Sequence, residues 1–196
     1  MPLPERRLAA ISYAEMRNFT RLSEALQPDK VLQLANEFFA LAARCATNNS
    51  GKVVCLHNDS LLAAFAGGAS AEISGRALQA AQELQREFGP LGERWKAEYG
   101  LPATVALGIH MGEAVFGAAG PKGAKQDLVF GDSVSIAERM VHRARAGEIV
   151  LSLDFMKGLG PAVKTLGAHE LPPLELGRRP AIPIYAMTVD TRLDFT

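Results

Sequence analysis

Two cysteines in 196 residues, Cys45 and Cys55, are too few for a disulfide framework. The chain has no excess charge of either sign: 21 basic and 21 acidic residues cancel. That balance leaves no electrostatic footprint for nucleic acid or an anionic membrane surface. No apolar run approaches the roughly 18 residues that a membrane span needs. Met1-Pro2-Leu3-Pro4-Glu5-Arg6-Arg7 is not followed by the apolar core of a secretion signal. Internal repeats and low-complexity tracts are missing as well. The Gly/Lys-rich stretch from Gly117 to Lys125 lacks the spacing of a phosphate-binding P-loop. Cys45, Cys55 and His57 lack zinc-ligand spacing. What remains is an ordinary globular composition, 48% apolar and 21% charged, with enough material for a core. The expectation is a cytoplasmic, reduced protein forming one domain over residues 1–196.

Periodicity sets out the elements. Arg7 to Met16 reads as a buried strand. Pro28 to Asn48 reads as a helix, with Val31, Leu34, Phe38, Leu41 and Cys45 at helical spacing and Pro28 suited to a first turn. Lys52–His57 and Leu61–Phe65 flank an Asn58-Asp59 turn and predict a hairpin. A second helix is expected from Ser70 to Phe88, broken at Gly89-Pro90, with a short amphipathic piece through Tyr99. Thr104–His110 and Glu113–Phe116 predict a second hairpin around Met111-Gly112, followed by a loop from Gly117 to Lys125. Leu128–Phe130 is a short strand. Asp132 is the expected N-cap of a third helix that ends at Gly147. Glu148–Ser152 is a strand, and two more are expected near 164–171 and 182–188. The core therefore spans about residues 7–152, with C-terminal strands over 164–188. This order predicts an α+β sandwich, helices on one face of a mainly antiparallel sheet.

The stretch Tyr13-Ala14-Glu15-Met16-Arg17-Asn18-Phe19-Thr20 carries the most chemistry. A strand delivers Glu15 to a polar turn, and Asp59 sits in the turn His57-Asn58-Asp59-Ser60. Two carboxylates at strand ends of one sheet can share two hard cations roughly 3.5–4 Å apart and activate a hydroxyl against a phosphoryl group. On local sequence alone, Glu15 would be a solvated strand end and Asp59 a turn residue.

Four segments in order resemble the class III adenylyl/guanylyl cyclase catalytic domain over nearly the whole chain. Tyr13–Thr20 resembles the motif F-x-D-I-x-x-F-T, and Val54–Phe65 resembles the hairpin K-x-x-G-D-x-x-x-x-x-F. Gly108-Ile109-His110-Met111-Gly112 resembles G-I-H-x-G. Leu128–Met140, followed by Gly147–Ser152, resembles the G-D-x-V-N-x-A-x-R helix and its strand. The resemblance implies a ferredoxin-like core, a head-to-tail dimer with sites in the subunit cleft, Mg2+ or Mn2+, and a nucleoside triphosphate. It also implies roles. Glu15 and Asp59 stand at the metal-ligand positions, where the family has aspartate at both. The extra methylene moves a carboxylate by more than about 1 Å, and magnesium tolerates little departure from octahedral geometry. The turn from Met16 through Phe19 and Thr20 stands where phosphates lie. Cys55 and Leu128 occupy the base-reading positions, where the family has lysine and aspartate or threonine. Ser135 replaces the asparagine that orients the ribose. Arg139 retains the arginine that stabilises charge on the α-phosphate. Ser135 and Arg139 are four apart and share a helix face, opposite a core stripe of Val134, Ala137, Val141 and Ala144.

With one metal ligand altered and the asparagine and both base readers replaced, the sequence points to a regulatory, dimerising or triphosphate-binding module with weak or no cyclase activity. The alternative is an active nucleotidyl cyclase of relaxed base preference, as a homodimer or lending its Glu15/Asp59 half to a partner cyclase domain. His110, His142 and His169 read as isolated surface or packing residues.

Overall fold

The computed structural model describes residues 4–177 and 179–189; the remaining residues of the expected 1–196 domain lie outside it. In chain order the elements are β1 (Glu5–Arg17), α1 (Phe19–Ala25), α2 (Pro28–Asn48), β2 (Lys52–His57), β3 (Ser60–Ala66), α3 (Ser70–Tyr99), β4 (Thr104–Ala119), β5 (Gln126–Phe130), α4 (Asp132–Val141), β6 (Glu148–Ser152), α5 (Leu153–Leu159), a 3-10 helix (Gly160–Thr165), β7 (His169–Leu174) and β8 (Ile182–Thr188). The strands form one eight-stranded sheet in the order β2-β3-β1-β4-β6-β8-β7, with β5 paired to the far end of β4. Every pairing is antiparallel except β4 with β6.

The sheet is covered on both sides. Helices α2, α3 and α5 bury Phe38, Leu84, Phe88 and Phe155 against one face, on Met16, Phe65, Leu107 and Ile149. Helix α4 lies across the other face, setting Ile136, Met140 and Val141 against Ala106 and Val150, and Ala137 near Ile11, Leu62 and Val129. A central strand covered on both faces reads as a continuous apolar run, not an alternating one. That is why Ala9, Ala10, Ile11 and Ser12 are all buried in β1.

Several elements depart from the sequence expectation. Helix α3 runs unbroken through Gly89-Pro90 to Tyr99. An interior proline costs about 3 kcal/mol, but the continuation seats Trp95, fully buried, edge-on to Phe88 at 5.6 Å, with Phe88 edge-on to Phe38 at 6.1 Å. Burying each such side chain contributes roughly 1.5–3 kcal/mol, and aromatic pairing adds about 0.5–1.5. Tertiary packing therefore wins over the local breaker.

The hairpin expected around Met111-Gly112 does not form. β4 is one strand of 16 residues, because β1 pairs with it residue for residue from Glu5↔Phe116 to Arg17↔Thr104. β4 also takes up residues 117–119 of the expected loop. Helix α4 starts one residue early: Gly131 is the N-cap, and Asp132 caps nothing but pairs with Arg179 through two contacts of 2.5 and 2.8 Å. The Arg179 guanidinium holds the Asp132 carboxyl below its usual range. Near residue 164 the expected strand is a 3-10 helix, and β7 begins at His169. Helix α5 was not anticipated. α5 carried a readable signal, since the Ser152 hydroxyl accepts the Phe155 N–H at 3.2 Å as an N-cap.

Candidate functional site

Glycines let α4 approach the sheet. A Cβ on Gly108 would fall 2.4 Å from the Val141 nitrogen and 2.5 Å from the Ala137 carbonyl oxygen. One on Gly112 would meet the Ser133 hydroxyl at 2.4 Å, and that hydroxyl donates to the Glu113 carbonyl at 2.8 Å. The G-I-H-M-G stretch of β4 is thus the seat of α4. Its histidine is buried: His110 Nδ1 lies 2.9 Å from the Ser152 hydroxyl. Burial pushes the imidazole below its ordinary value, partly opposed by Asp154 and Asp132. A buried neutral imidazole stabilises the fold above the unfolded-state pKa of roughly 6.5, and that contribution is lost as pH falls below it. Thermal melts should therefore show Tm falling between pH 7 and pH 5. His110→Gln should lower Tm at pH 7 and flatten that fall.

Glu15 and Asp59 are brought to one end of the sheet. Glu15 pairs in register with Ser60, and the Met16 N–H donates to the Asp59 carbonyl at 2.8 Å. Glu15 is thus a residue of β1 near its end, and Asp59 lies in the β2–β3 turn beside it. Glu15, however, is engaged. Arg17, two residues along and on the same strand face, donates to Glu15 Oε1, while His142 Nε2 lies 3.4 Å from Oε2. The same guanidinium donates to the carbonyls of Val141 and, at 2.9 Å, of Ala144. Helix α4 stops at Val141 and not at Gly147: the Arg145 N–H that another turn would give to the Val141 carbonyl donates instead to Glu148 Oε2 at 2.8 Å, and Arg17 donates to that carbonyl. With one oxygen of Glu15 held by Arg17 and the other 3.4 Å from the His142 ring nitrogen, the residues present do not fit a two-cation site. Arg17 and His142 are the residues missed in the sequence, although a glutamate and an arginine two apart on a strand were a readable pair.

Tyr13 stands beside them, its hydroxyl 3.5 Å from the Ser60 hydroxyl. Burial pushes its phenol up, Ser60 pulls it down, and the charges of Glu138, Cys55 and Glu15 push it up again. The register puts Cys55 on the face of Tyr13 and Glu15, since Tyr13 pairs with Leu62 and Leu62 with Cys55, and Tyr13 packs against the α4 cluster. Cys55 reaches that face through a bulge in β2: Val53 pairs with Ala63 and Cys55 with Leu62, leaving Val54 as the extra residue. The Cys55 thiol is exposed and bonds only to the neighbouring Leu56 carbonyl, at 3.6 Å. Leu128 is half-buried on β5, paired with Gly117. Next to it, Asp127 forms a 2.9 Å ion pair with Lys52 at the start of β2. A cleft of about 300 Å³ under this bridge is lined by Arg7, Lys52, Phe116 and Asp127, and by none of the expected site residues.

The phosphate turn contains a left-handed residue, Asn18 with φ 67°, whose side chain donates to the Pro102 carbonyl at 2.8 Å. Phe19 packs on the main core and Thr20 is exposed. Thr20 is the second residue of α1 and not its cap. Ser135 and Arg139 share the exposed face of α4, as expected, and His142 follows them one turn on.

Among the described residues, one group of three side chains has metal-ligand proximity: Cys45, Glu83 and Glu87. Its carboxylates already have partners, and burial, with the nearby Glu83 and Glu87 charges, pushes the Cys45 thiol up to about 12. Glu83 accepts from Asn49 at 2.8 Å, and Glu87 pairs with Arg44. No helix among the described residues is long and apolar enough to cross a membrane.

Comparison with known proteins places this geometry. Residues 3–172 match the family profile described as adenylate and guanylate cyclase catalytic domain. Adenylate cyclase 1 of Rhizobium meliloti is 28% identical over 130 residues, which cover 65% of this chain and 19% of that protein. The adenylate cyclase of Anabaena cylindrica is 26% identical over 135 residues, covering 68% of this chain and 27% of the relative. The chain thus spans about a fifth to a quarter of these curated relatives. Among solved structures, the adenylyl cyclase CyaB from P. aeruginosa superimposes with a TM-score of 0.87 at 21% identity, covering all of both chains. The guanylate cyclase domain of RhGC from Catenaria anguillulae, solved in complex with GTP, does so with a TM-score of 0.80 at 17% identity, over 94% of this chain and 98% of that one.

Proposed function

The chain belongs to the adenylate and guanylate cyclase catalytic domain family, and from that premise we propose a dimerising, triphosphate-binding module that no longer reads a purine and turns over little or no substrate. One observation supports this reading: neither side chain at the two proposed base-reading positions is a strong hydrogen-bonding group. Leu128 is apolar and half-buried, and the Cys55 thiol bonds its own neighbour's carbonyl. A site that hydrogen-bonds its substrate can discriminate by about 10⁴–10⁵, which an apolar wall cannot do. Phosphate contact would come from the turn through Phe19 and Thr20. Arg139 would meet the α-phosphate across the cleft of a head-to-tail pair, with a second copy or another cyclase domain as partner. Ser135 reaches less far than an asparagine and offers one hydroxyl for an amide.

Calorimetry with non-cleavable ATP and GTP analogues tests the reading. Expected are dissociation constants within about tenfold of each other. A preference of a hundredfold or more for one base would contradict it. The exposed pair Ser135 and Arg139 on α4 favours a second reading, an active cyclase of relaxed base preference, which an assay of cyclic product from the four triphosphates separates from the first.

A further inference from the structure

We propose that Arg17 is a built-in counter-cation for Glu15, so that the acidic end of this sheet takes one divalent ion, through Asp59, and not two. This deepens the triphosphate-binding reading and rests on it for the ligand, but the clasp itself is independent of nucleotide. The guanidinium bridges three acceptors: Glu15 Oε1, the Val141 carbonyl and, at 2.9 Å, the Ala144 carbonyl. The other Glu15 oxygen faces His142 Nε2 at 3.4 Å. Both side chains of the pair are mostly enclosed, Glu15 16% and Arg17 22% exposed, so the contact is not a solvated surface pair.

The arrangement serves two ends. A guanidinium carries its charge permanently and forks to planar acceptors. At the end of α4 it meets the Val141 carbonyl, which carries part of the helix's negative terminal charge, and with the same group it neutralises Glu15. A divalent ion seated on Glu15 Oε1 would lie against that fixed positive charge. It would also have to share a carboxylate already spoken for, whereas a magnesium or manganese ion needs oxygen ligands free to complete its shell. Among the described residues, Asp59 forms no ion pair. The strand-to-helix tie also couples the metal end of β1 to the helix that carries Ser135 and Arg139.

Two measurements on the purified chain test this. The first uses no nucleotide and no metal. Thermal melts of Glu15→Gln, Arg17→Met and the double variant should show each single change lowering Tm by roughly 5–10 °C, as for a broken, largely enclosed pair. The double variant should be no worse than Arg17→Met. Additive losses would overturn the clasp. The second counts bound Mn2+ by electron paramagnetic resonance with a saturating non-cleavable triphosphate. Expected are one ion per chain in the parent and in Glu15→Gln, two in Arg17→Met, and at least a tenfold loss of Mn2+ affinity in Asp59→Asn. Two ions in the parent, reduced to one by Glu15→Gln, would overturn the proposal. Failure of triphosphate to bind would sink the functional reading above and leave the melting result to decide the clasp.

Discussion

Gly108→Ala will unseat α4 and lower Tm by about 6–12 °C. The added methyl carbon would sit 2.4 Å from a helix backbone nitrogen and 2.5 Å from a helix carbonyl oxygen. Neither atom belongs to a flexible side chain, so relief requires moving the helix. Overpacking commonly costs about 1–3 kcal/mol, and a clash against backbone belongs at the top of that range. For a chain of this size, each kcal/mol shifts Tm by about 2–4 °C. Gly75→Ala is the matched control. Gly75 lies exposed in α3, a Cβ there meets nothing, and the change should stabilise by about 0.5–1 kcal/mol. The Gly108 effect should reach function as well. A displaced α4 takes with it the Val141 and Ala144 carbonyls that hold Arg17, and the exposed face with Ser135 and Arg139.

The second large effect is a gain. A variant carrying Cys55→Lys, Leu128→Asp, Ser135→Asn and Glu15→Asp puts the family's residue types back at four positions of the proposed site. Restoring one oriented donor is commonly worth about 10²–10³ in rate, so cyclic-nucleotide formation should rise by at least about a hundredfold over the parent. Hydrogen-bonding side chains at the base corner should also raise discrimination between ATP and GTP from below tenfold to above a hundredfold. Glu15→Asp shortens the side chain by one methylene and draws the carboxylate back from Arg17 and His142. Assays of cyclic product, with each triphosphate and each subset of the four changes, check both numbers. A quadruple variant no faster than the parent would mean that the defect lies elsewhere.

The sequence made the fold legible, but not the electrostatics around Glu15. Burial on both faces gave β1 a continuous apolar signal, and motif order singled out Glu15 and Asp59, on neighbouring segments where the Met16 N–H meets the Asp59 carbonyl. Local rules failed where long-range contacts decided. Gly89-Pro90 broke nothing because Trp95 and Phe88 had a partner in Phe38. Met111-Gly112 turned nothing because β1 was long enough to pair straight across it. Glycine was needed at 112 for the approach of Ser133, not for a turn. The state of Glu15 was hidden for a related reason. Its contact with His142 crosses 127 residues of chain, and only the half of it supplied by Arg17, two positions away, was readable locally.

The central claim, that this cyclase-family chain has lost purine reading and with it most turnover, meets its most direct test in one assay. Purified protein is incubated with Mn2+ and each of ATP, GTP, CTP and UTP, and cyclic product is quantified. The account predicts no product, or a trace without preference among the four. Steady turnover of one purine triphosphate, abolished by both Asp59→Ala and Arg139→Ala, would contradict it.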